Sequence, residues 1–365
     1  KQEMSVFDLS NLFFAVPLKD KEFYISIFEN LSAIEVKDPE SAVAFIHGIT
    51  TNRLLREVSL EAYEASEGRK DVGGILTKLK EIEANQEAVN NPQGGQEDFE
   101  FVSDDLEVLL NEQRSKPGLR WRLAELNKML GSLRKGDFGF IFARPETGKT
   151  TFLASEVTFM AEQSENPILW FNNEEQGQKV MLRNYQASLG ITDTELFLDI
   201  PGNRQKFLDR THGRIKMLDR AQIHYKDVEK LCELHQPALI IFDQIDKIKG
   251  FDNDREDLRL GSIYIWAREL AKKYCPVIGV CQADGSGEGA KWLTMANVSN
   301  AKTSKQAEAD WILGIGKVND VGFDNIRFIY ASKNKLVGDQ DSDPTMRHGR
   351  VECLIHPTIA RYGSI

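Results

Sequence analysis

The feature that most constrains this chain is the stretch Ala143-Arg144-Pro145-Glu146-Thr147-Gly148-Lys149-Thr150-Thr151, set between an apolar run at 138–142 and a helix-like segment at 151–163. A tight turn joining a buried strand to a helix N-terminus aims backbone N–H groups and the positive end of the helix dipole at one point. Such a point holds phosphate. Lys149 would neutralise its charge and the Thr150 hydroxyl would ligate a magnesium ion. The first glycine usual in such loops is Ala143 here, a departure that only a small side chain allows.

Further short apolar runs follow at 168–171, 238–242, 277–281, 311–315 and 326–331, separated by helix-sized stretches. They have the length of strands buried on both faces and predict an open, mostly parallel α/β sheet. The first part of the chain reads differently. Leu54, Leu55, Val58, Leu60 and Tyr63 recur at helical spacing, as do Ile75, Leu76, Leu79 and Ile82. Gly68 and Gly73-Gly74 punctuate them, which predicts a helical hairpin. Residues 90–96 (NNPQGGQ) have a linker's composition. A short amphipathic helix at about 104–113 follows, with Leu106, Val108, Leu109 and Leu110 on one face, and breaks at Pro117-Gly118. That helix has no core of its own and must dock elsewhere, on the α/β part of its own chain or on a neighbouring copy. The expected organisation is a helical domain at 1–90, a linker with a docking helix at 91–117, and an α/β domain at 118–365.

The net charge of −10 is unevenly spread. Residues 1–117 hold 12 Lys/Arg against 23 Asp/Glu, and the remainder holds 34 against 33. The α/β part is therefore neutral and free to carry local basic loops. Four cysteines without a CxxC pair indicate neither a zinc site nor a disulfide framework, and reduced thiols of a cytoplasmic protein are expected. No apolar stretch approaches the roughly 18 to 20 residues of a membrane span, and Lys1–Met4 lacks the layout of a secretion signal. A start at Lys1, with Met4 behind it, suggests residues before it. None of the six histidines stands beside a nucleophile or metal partner.

Two acidic sites lie at strand ends. The run at 238–242 ends in Asp243, where a magnesium ion's water shell needs a negative charge. The run at 168–171 is followed by Asn172-Asn173-Glu174-Glu175. A glutamate there can activate the water that attacks a γ-phosphate, or both can simply favour the next helix's dipole.

These pieces together resemble the replicative DNA helicases of the DnaB family and the related phage primase-helicases, over roughly residues 115–360. The family's phosphate loop typically reads ARPSMGKT, close to ARPETGKT here and including the alanine. The resemblance implies a RecA-like P-loop NTPase domain, preceded by a small all-helical domain and linker helix. It implies ATP and Mg²⁺ as ligands. Its register, with Arg183 late in the next helix, picks Glu174 over Glu175 as general base. Gln282, ending the run at 277–281, falls on the family's γ-phosphate sensor. Ala331-Ser-Lys333-Asn-Lys335 falls where the family carries a lysine-glutamine-arginine segment that enters the neighbour's site. Lysine replaces that arginine: Lys335 could still supply the charge without the bidentate fork, or Arg347 or Arg350 could substitute for it. The chain is shorter than cellular members, as a phage-encoded version would be.

The resemblance also places single-stranded DNA in the channel of a homohexameric ring, with a primase and a loader as partners. The DNA candidates are Lys247, Lys249, Arg255, Lys291, Lys302 and Lys305, with Trp292 open between stacking on a base and folding onto the core. The basic run Arg204, Lys206, Arg210, Arg214, Lys216, Arg220 reads equally as a solvated helix face, a subunit contact or a DNA contact. The expected function is an ATP-driven replicative helicase. The alternatives are a RecA-like recombinase or mediator that does not unwind, and a scaffold with a vestigial site.

Overall fold

The computed structural model describes residues 39–67, helical fragments at 74–75, 78–79 and 82–83, residues 105–107, and residues 118–365 apart from 252–254 and 301. The chain divides into two units between Asp104 and Asp105. In the first, α1 (Pro39–Ser66) buries Leu54, while Leu60 and Tyr63 of the expected apolar face stay exposed. Lys78 reaches Glu57 at 2.7 Å and Glu61 at 3.3 Å, so the following helical fragments lie alongside α1, as in a hairpin. The linker at 90–96 and most of the expected docking helix lie outside the described residues. Leu106 and Glu107 are helical and exposed.

The second unit is built on one nine-stranded sheet. Its strands are β1 (Phe138–Ala143), β2 (Ile168–Asn172), β3 (Ile215–Asp219), β4 (Leu239–Asp243), β5 (Val277–Gln282), β6 (Trp311–Gly316), β7 (Ile326–Asn334), β8 (Arg350–His356) and β9 (Arg361–Ser364). They lie in the order β3-β2-β4-β5-β1-β6-β7-β8-β9. The first six pair in parallel, and β6 to β9 pair antiparallel. Helices connect and cover them: α2 (Ala124–Leu130), α3 (Lys149–Gln163), α4 (Gly177–Leu189), α5 (Asp193–Leu198), α6 (Ile200–Thr211), α7 (Tyr225–His235), α8 (Glu256–Lys273) and α9 (Lys302–Glu308).

Every residue of β1 is buried, because it lies between parallel neighbours with helices over both faces. Phe138, Phe140 and Phe142 alternate onto the face covered by α7 and α8, where they join Tyr264 and Val228. Ile141 and Ala143 point to the other face, with Phe152 of α3, Val180 of α4 and Phe207 of α6. Each buried phenylalanine contributes about 1.5–3 kcal/mol of hydrophobic stabilisation. Trp311 stands edge-on to Trp121, with centroids 5.6 Å apart, and covers Gly139 of the adjacent strand.

All six expected strands are present, and three were not foreseen. The edge strand β3 carries Lys216 from within the basic run, while Arg204, Lys206 and Arg210 belong to α6. The run is thus no single helix face, and an edge lysine is a common guard against sheet extension.

A Cβ added at Gly139 would lie 2.1 Å from Trp311 Cδ2. Gly139→Ala is therefore expected to lower stability by about 1–3 kcal/mol through overpacking, read as a shift of the denaturation midpoint. An unchanged midpoint would mean that the indole moves aside freely.

Candidate functional site

The phosphate loop leaves β1 at Ala143 and enters α3 at Lys149. Two of its residues have positive φ, Glu146 at 59° and Gly148 at 102°. Gly148 cannot be replaced easily: a Cβ there would meet Ile355 Cδ1 at 2.7 Å and Tyr362 Oη at 3.0 Å. α3 has no side-chain cap and no acidic residue in its first turn, so its leading N–H groups await an anion. The Lys149 amine donates to Arg144 O at 3.4 Å, inside the loop. Together Gly148, Lys149, Thr150, Glu174, Arg183 and Arg327 line a cavity of about 440 Å³.

Two buttresses came from outside the motif. Tyr362 of β9 donates its hydroxyl to Gly148 O at 3.3 Å and packs edge-on against Phe152. Arg327 of β7, 5% exposed, donates from Nε to Thr147 O at 2.6 Å and from Nη1 to Asp324 O and Ile326 O at 2.8 Å each. Neither was foreseen, although one arginine inside an apolar strand was a signal, since arginine is seldom buried without partners.

Asp243 ends β4 and is fully buried, and neither carboxylate oxygen has a hydrogen-bond donor from the protein. Burial, reinforced by Glu174 and opposed by Lys149, pushes its carboxyl up to about 7. An orphaned carboxylate beside a phosphate loop fits a bound cation. Among the described residues no group of three His, Cys, Asp or Glu could hold a metal, so a magnesium ion here would draw on Thr150, Asp243, phosphate and water.

β2 places its two glutamates in different settings. Glu175 forms a two-pronged pair with Arg183, one arm at 2.9 Å, and Arg183 holds its carboxyl below the usual range. Glu174 is exposed on the cavity. Its Oε2 accepts from Gln244 Nε2 at 2.7 Å, and its Oε1 lies 3.5 Å from Gln282 Nε2. Gln282 stands in register with Ala143, which brings β5 to the loop. Gln244, unforeseen, has a left-handed backbone with φ 78° and ψ 69°, a conformation that costs a non-glycine residue on the order of 1–3 kcal/mol.

The basic candidates separate. Lys249 and Arg255 are exposed, Arg255 against Asp257 at 2.7 Å. Lys247 is exposed too and donates to Asn173 O at 2.8 Å. Lys291 pairs with Glu352 at 2.7 Å, and Trp292 folds edge-on against Phe328. The side chain of Lys302 lies outside the described residues. Lys305 must be corrected: it is fully buried, with its amine on Asp246 at 2.7 Å and Ser299 O at 3.0 Å. In this arrangement it braces the core and is closed to DNA, because parting a buried ion pair leaves Asp246 uncompensated.

Lys333 and Lys335 lie far from their own chain's phosphate loop. Asn334 pairs with Trp311, at the start of β6, whereas the loop follows the ends of the parallel strands. The span is roughly 15–20 Å at the rise of a strand. Lys333 donates to Gln306 O, and burial, with Lys335 nearby, holds its amine below the usual range. Lys335 is exposed. Arg347, also exposed, donates from Nε to Asn334 O at 3.0 Å. Arg350 lies over the Trp292 and Tyr330 rings instead.

A strand–loop–helix phosphate site at the carboxyl ends of a mostly parallel sheet gives the chain a RecA-like P-loop fold. Comparison with known proteins agrees. Residues 109–287 match the family described as the AAA domain. A solved ATPase domain is similar over 72% of this chain and 100% of its own, with a TM-score of 0.57 and 13% identity. A DnaB-like replicative helicase, in a structure of it and its interactions with primase, is similar over 93% of this chain and 83% of its own, with a TM-score of 0.57 and 15% identity. No curated protein matches the sequence. At these identities the likeness is one of fold, and it extends the resemblance to DnaB-family helicases from motifs to architecture. Among the described residues no helix is long and apolar enough to cross a membrane.

The folded Asp243 carboxyl keeps its proton up to about pH 7, whereas an unfolded aspartate releases it near the ordinary value of 3.8. Asp243 therefore costs the nucleotide-free fold stability as pH rises through that window. Asp243→Asn, which cannot ionise, is expected to raise the melting temperature, and by more at pH 8 than at pH 5. A gain that does not grow with pH would contradict this.

Proposed function

We propose that the chain is a subunit of a ring-forming replicative helicase, most simply a homohexamer, that hydrolyses ATP between subunits while moving along single-stranded DNA and parting the duplex. The observation that carries this reading is the division of the chemistry between two ends of one sheet. Phosphate loop, Asp243 and Glu174 stand at the carboxyl ends of the parallel strands, while exposed Lys335 and Arg347 stand at the other end. Cations so placed reach a nucleotide only on another copy. A repeated head-to-tail contact of that kind forms a ring where its rotation closes and a filament where it does not, and the ring is the form proposed here.

Within one site, the loop amides and Lys149 bind the β- and γ-phosphates, and Thr150 and Asp243 would hold a magnesium ion. The bound ion would supply Lewis-acid neutralisation of developing charge. Glu174 takes a proton from the attacking water at a carboxylate oxygen. Gln282, touching both β1's end and Glu174, reports the γ-phosphate. Arg327 keeps the loop in shape through Thr147 O. Lys335 and Arg347 of a neighbouring copy stabilise the transferring phosphoryl group, with Lys333 beside them. Lys247, Lys249, Arg255, Lys291 and Lys302 would grip DNA phosphates, which gives binding a steep salt dependence. A primase and a loader are the expected protein partners, the former supported by the primase interactions of the similar DnaB-like structure.

Glu174→Gln should leave nucleotide affinity intact and lower kcat by about 10²–10⁴-fold, the usual contribution of a positioned base. A variant with wild-type turnover would sink the assignment. With a forked duplex, ATP and Mg²⁺, wild type should separate strands and Lys149→Ala should not. Hydrolysis stimulated by single strands without strand separation would favour a recombinase-like ATPase.

The trans arrangement has its own test. Lys149→Ala chains and Lys335→Ala/Arg347→Ala chains should each be inactive alone. Mixed at random in one head-to-tail ring they should regain about a quarter of wild-type hydrolysis, the share of interfaces with both halves intact. No recovery on mixing would place the cations outside the reaction.

A further inference from the structure

We propose that Gln244 is a positioning residue for Glu174, holding that carboxylate in the orientation from which it meets the attacking water. The inference rests on Glu174 being the general base. Glu174 is exposed and follows the end of β2, so its own surroundings fix its rotamer poorly. Gln244, by contrast, is 5% exposed and fixed. Its amide donates to Glu174 Oε2 at 2.7 Å, a stronger contact than the 3.5 Å reach of Gln282 to Oε1.

Two more bonds make the link rigid. Asn173 Nδ2 donates to Gln244 O at 3.1 Å, and Lys247 Nζ donates to Asn173 O at 2.8 Å. Residues 173–174 are therefore tied three times to the turn 244–247. That turn starts with the left-handed backbone of Gln244, which breaks the course of β4 directly after Asp243 and leads into the 3₁₀ turn Ile245–Lys247. An unfavourable backbone conformation at a non-glycine residue persists where its surroundings over-determine it, and here the bond it permits ends on a reacting group.

The chemistry of the side chain suits the task. A neutral amide donates one hydrogen bond and leaves the carboxylate its charge and its other lone pairs, so the base stays able to take a proton. A lysine would form an ion pair and a carboxylate would repel. Gln244 itself takes no proton. Because it follows Asp243 directly, one strand end sets both the carboxylate of the proposed cation site and the orientation of the base.

The test uses Gln244→Gly and Gln244→Asn in the full chain. Both residues accept a left-handed backbone, so neither should disturb the turn. Glycine lacks the amide, and asparagine is one methylene too short to reach Glu174. Both variants should lower kcat for ATP hydrolysis about tenfold or more, with KM within about twofold and with ADP affinity and melting temperature at wild-type values. Wild-type kcat in both would overturn the proposal. So would a fall in kcat matched by loss of ADP binding or of melting temperature, which marks a structural role. Glu174→Gln, assayed in parallel, separates the two readings. If it turns over normally, the base assignment fails. If it is inactive while both Gln244 variants are normal, the positioning role alone fails.

Discussion

Burial of β1 on both faces and both edges is the constraint on which the rest depends. A strand so enclosed can leave the sheet only at its ends, and the backbone polar groups of the turn that follows must find partners at once. Here the turn closes with Gly148 at positive φ and hands its N–H groups to the start of α3. The apolar packing of Phe138, Phe140, Ile141 and Phe142 thus does more than stabilise. It holds the loop's amides pointing one way before any nucleotide arrives, which is what electrostatic preorganisation requires.

Around that loop, parallel pairing carries side chains into place by register alone. Ala143 stands level with Gln282, and Asn172 with Asp243. Residues far apart in the chain, Glu174, Asp243 and Gln282, therefore meet at one end of the sheet without a fold of their own. The antiparallel strands add what the parallel ones cannot. β7 brings Arg327 to the loop at one end and Lys333 and Lys335 to the other, because its direction is reversed. β9 returns Tyr362 under Gly148.

How much of this the sequence disclosed follows from those same forces. β1, β2, β4, β5, β6 and β7 were legible because burial on both faces demands continuous apolar runs. β3 (IKMLD) and β9 (RYGS) lie at the two edges, where one side of the strand is unpaired and polar residues are tolerated, so the pattern fades. β8 alternates exposed and buried residues as a half-solvated antiparallel strand does. Within the site, the loop and Asp243 were legible from local context. Lys305 was not, since the carboxylate that buries it, Asp246, lies 59 positions earlier. Gln244 gave no signal at all. Its role depends on a backbone angle and on a partner 70 positions away.

The interactions around the site also divide by strength. The core contacts behind β1 are buried and close-packed, and substitutions there disturb the fold. The links between the loop and its surroundings are of another kind. Arg144 reaches Glu288 at 3.0 Å and Ala283 O at 3.1 Å. Arg144 is half-buried and Glu288 exposed, and a pair of that sort contributes only about 0–1 kcal/mol. Such contacts hardly affect stability, and an arriving phosphate can compete for them. These contacts lead from the loop into 283–291, the segment that carries Lys291. A close-packed centre joined to an exposed basic loop by weak polar links suits the motor proposed above, since a bound phosphate could rearrange the links without disturbing the centre.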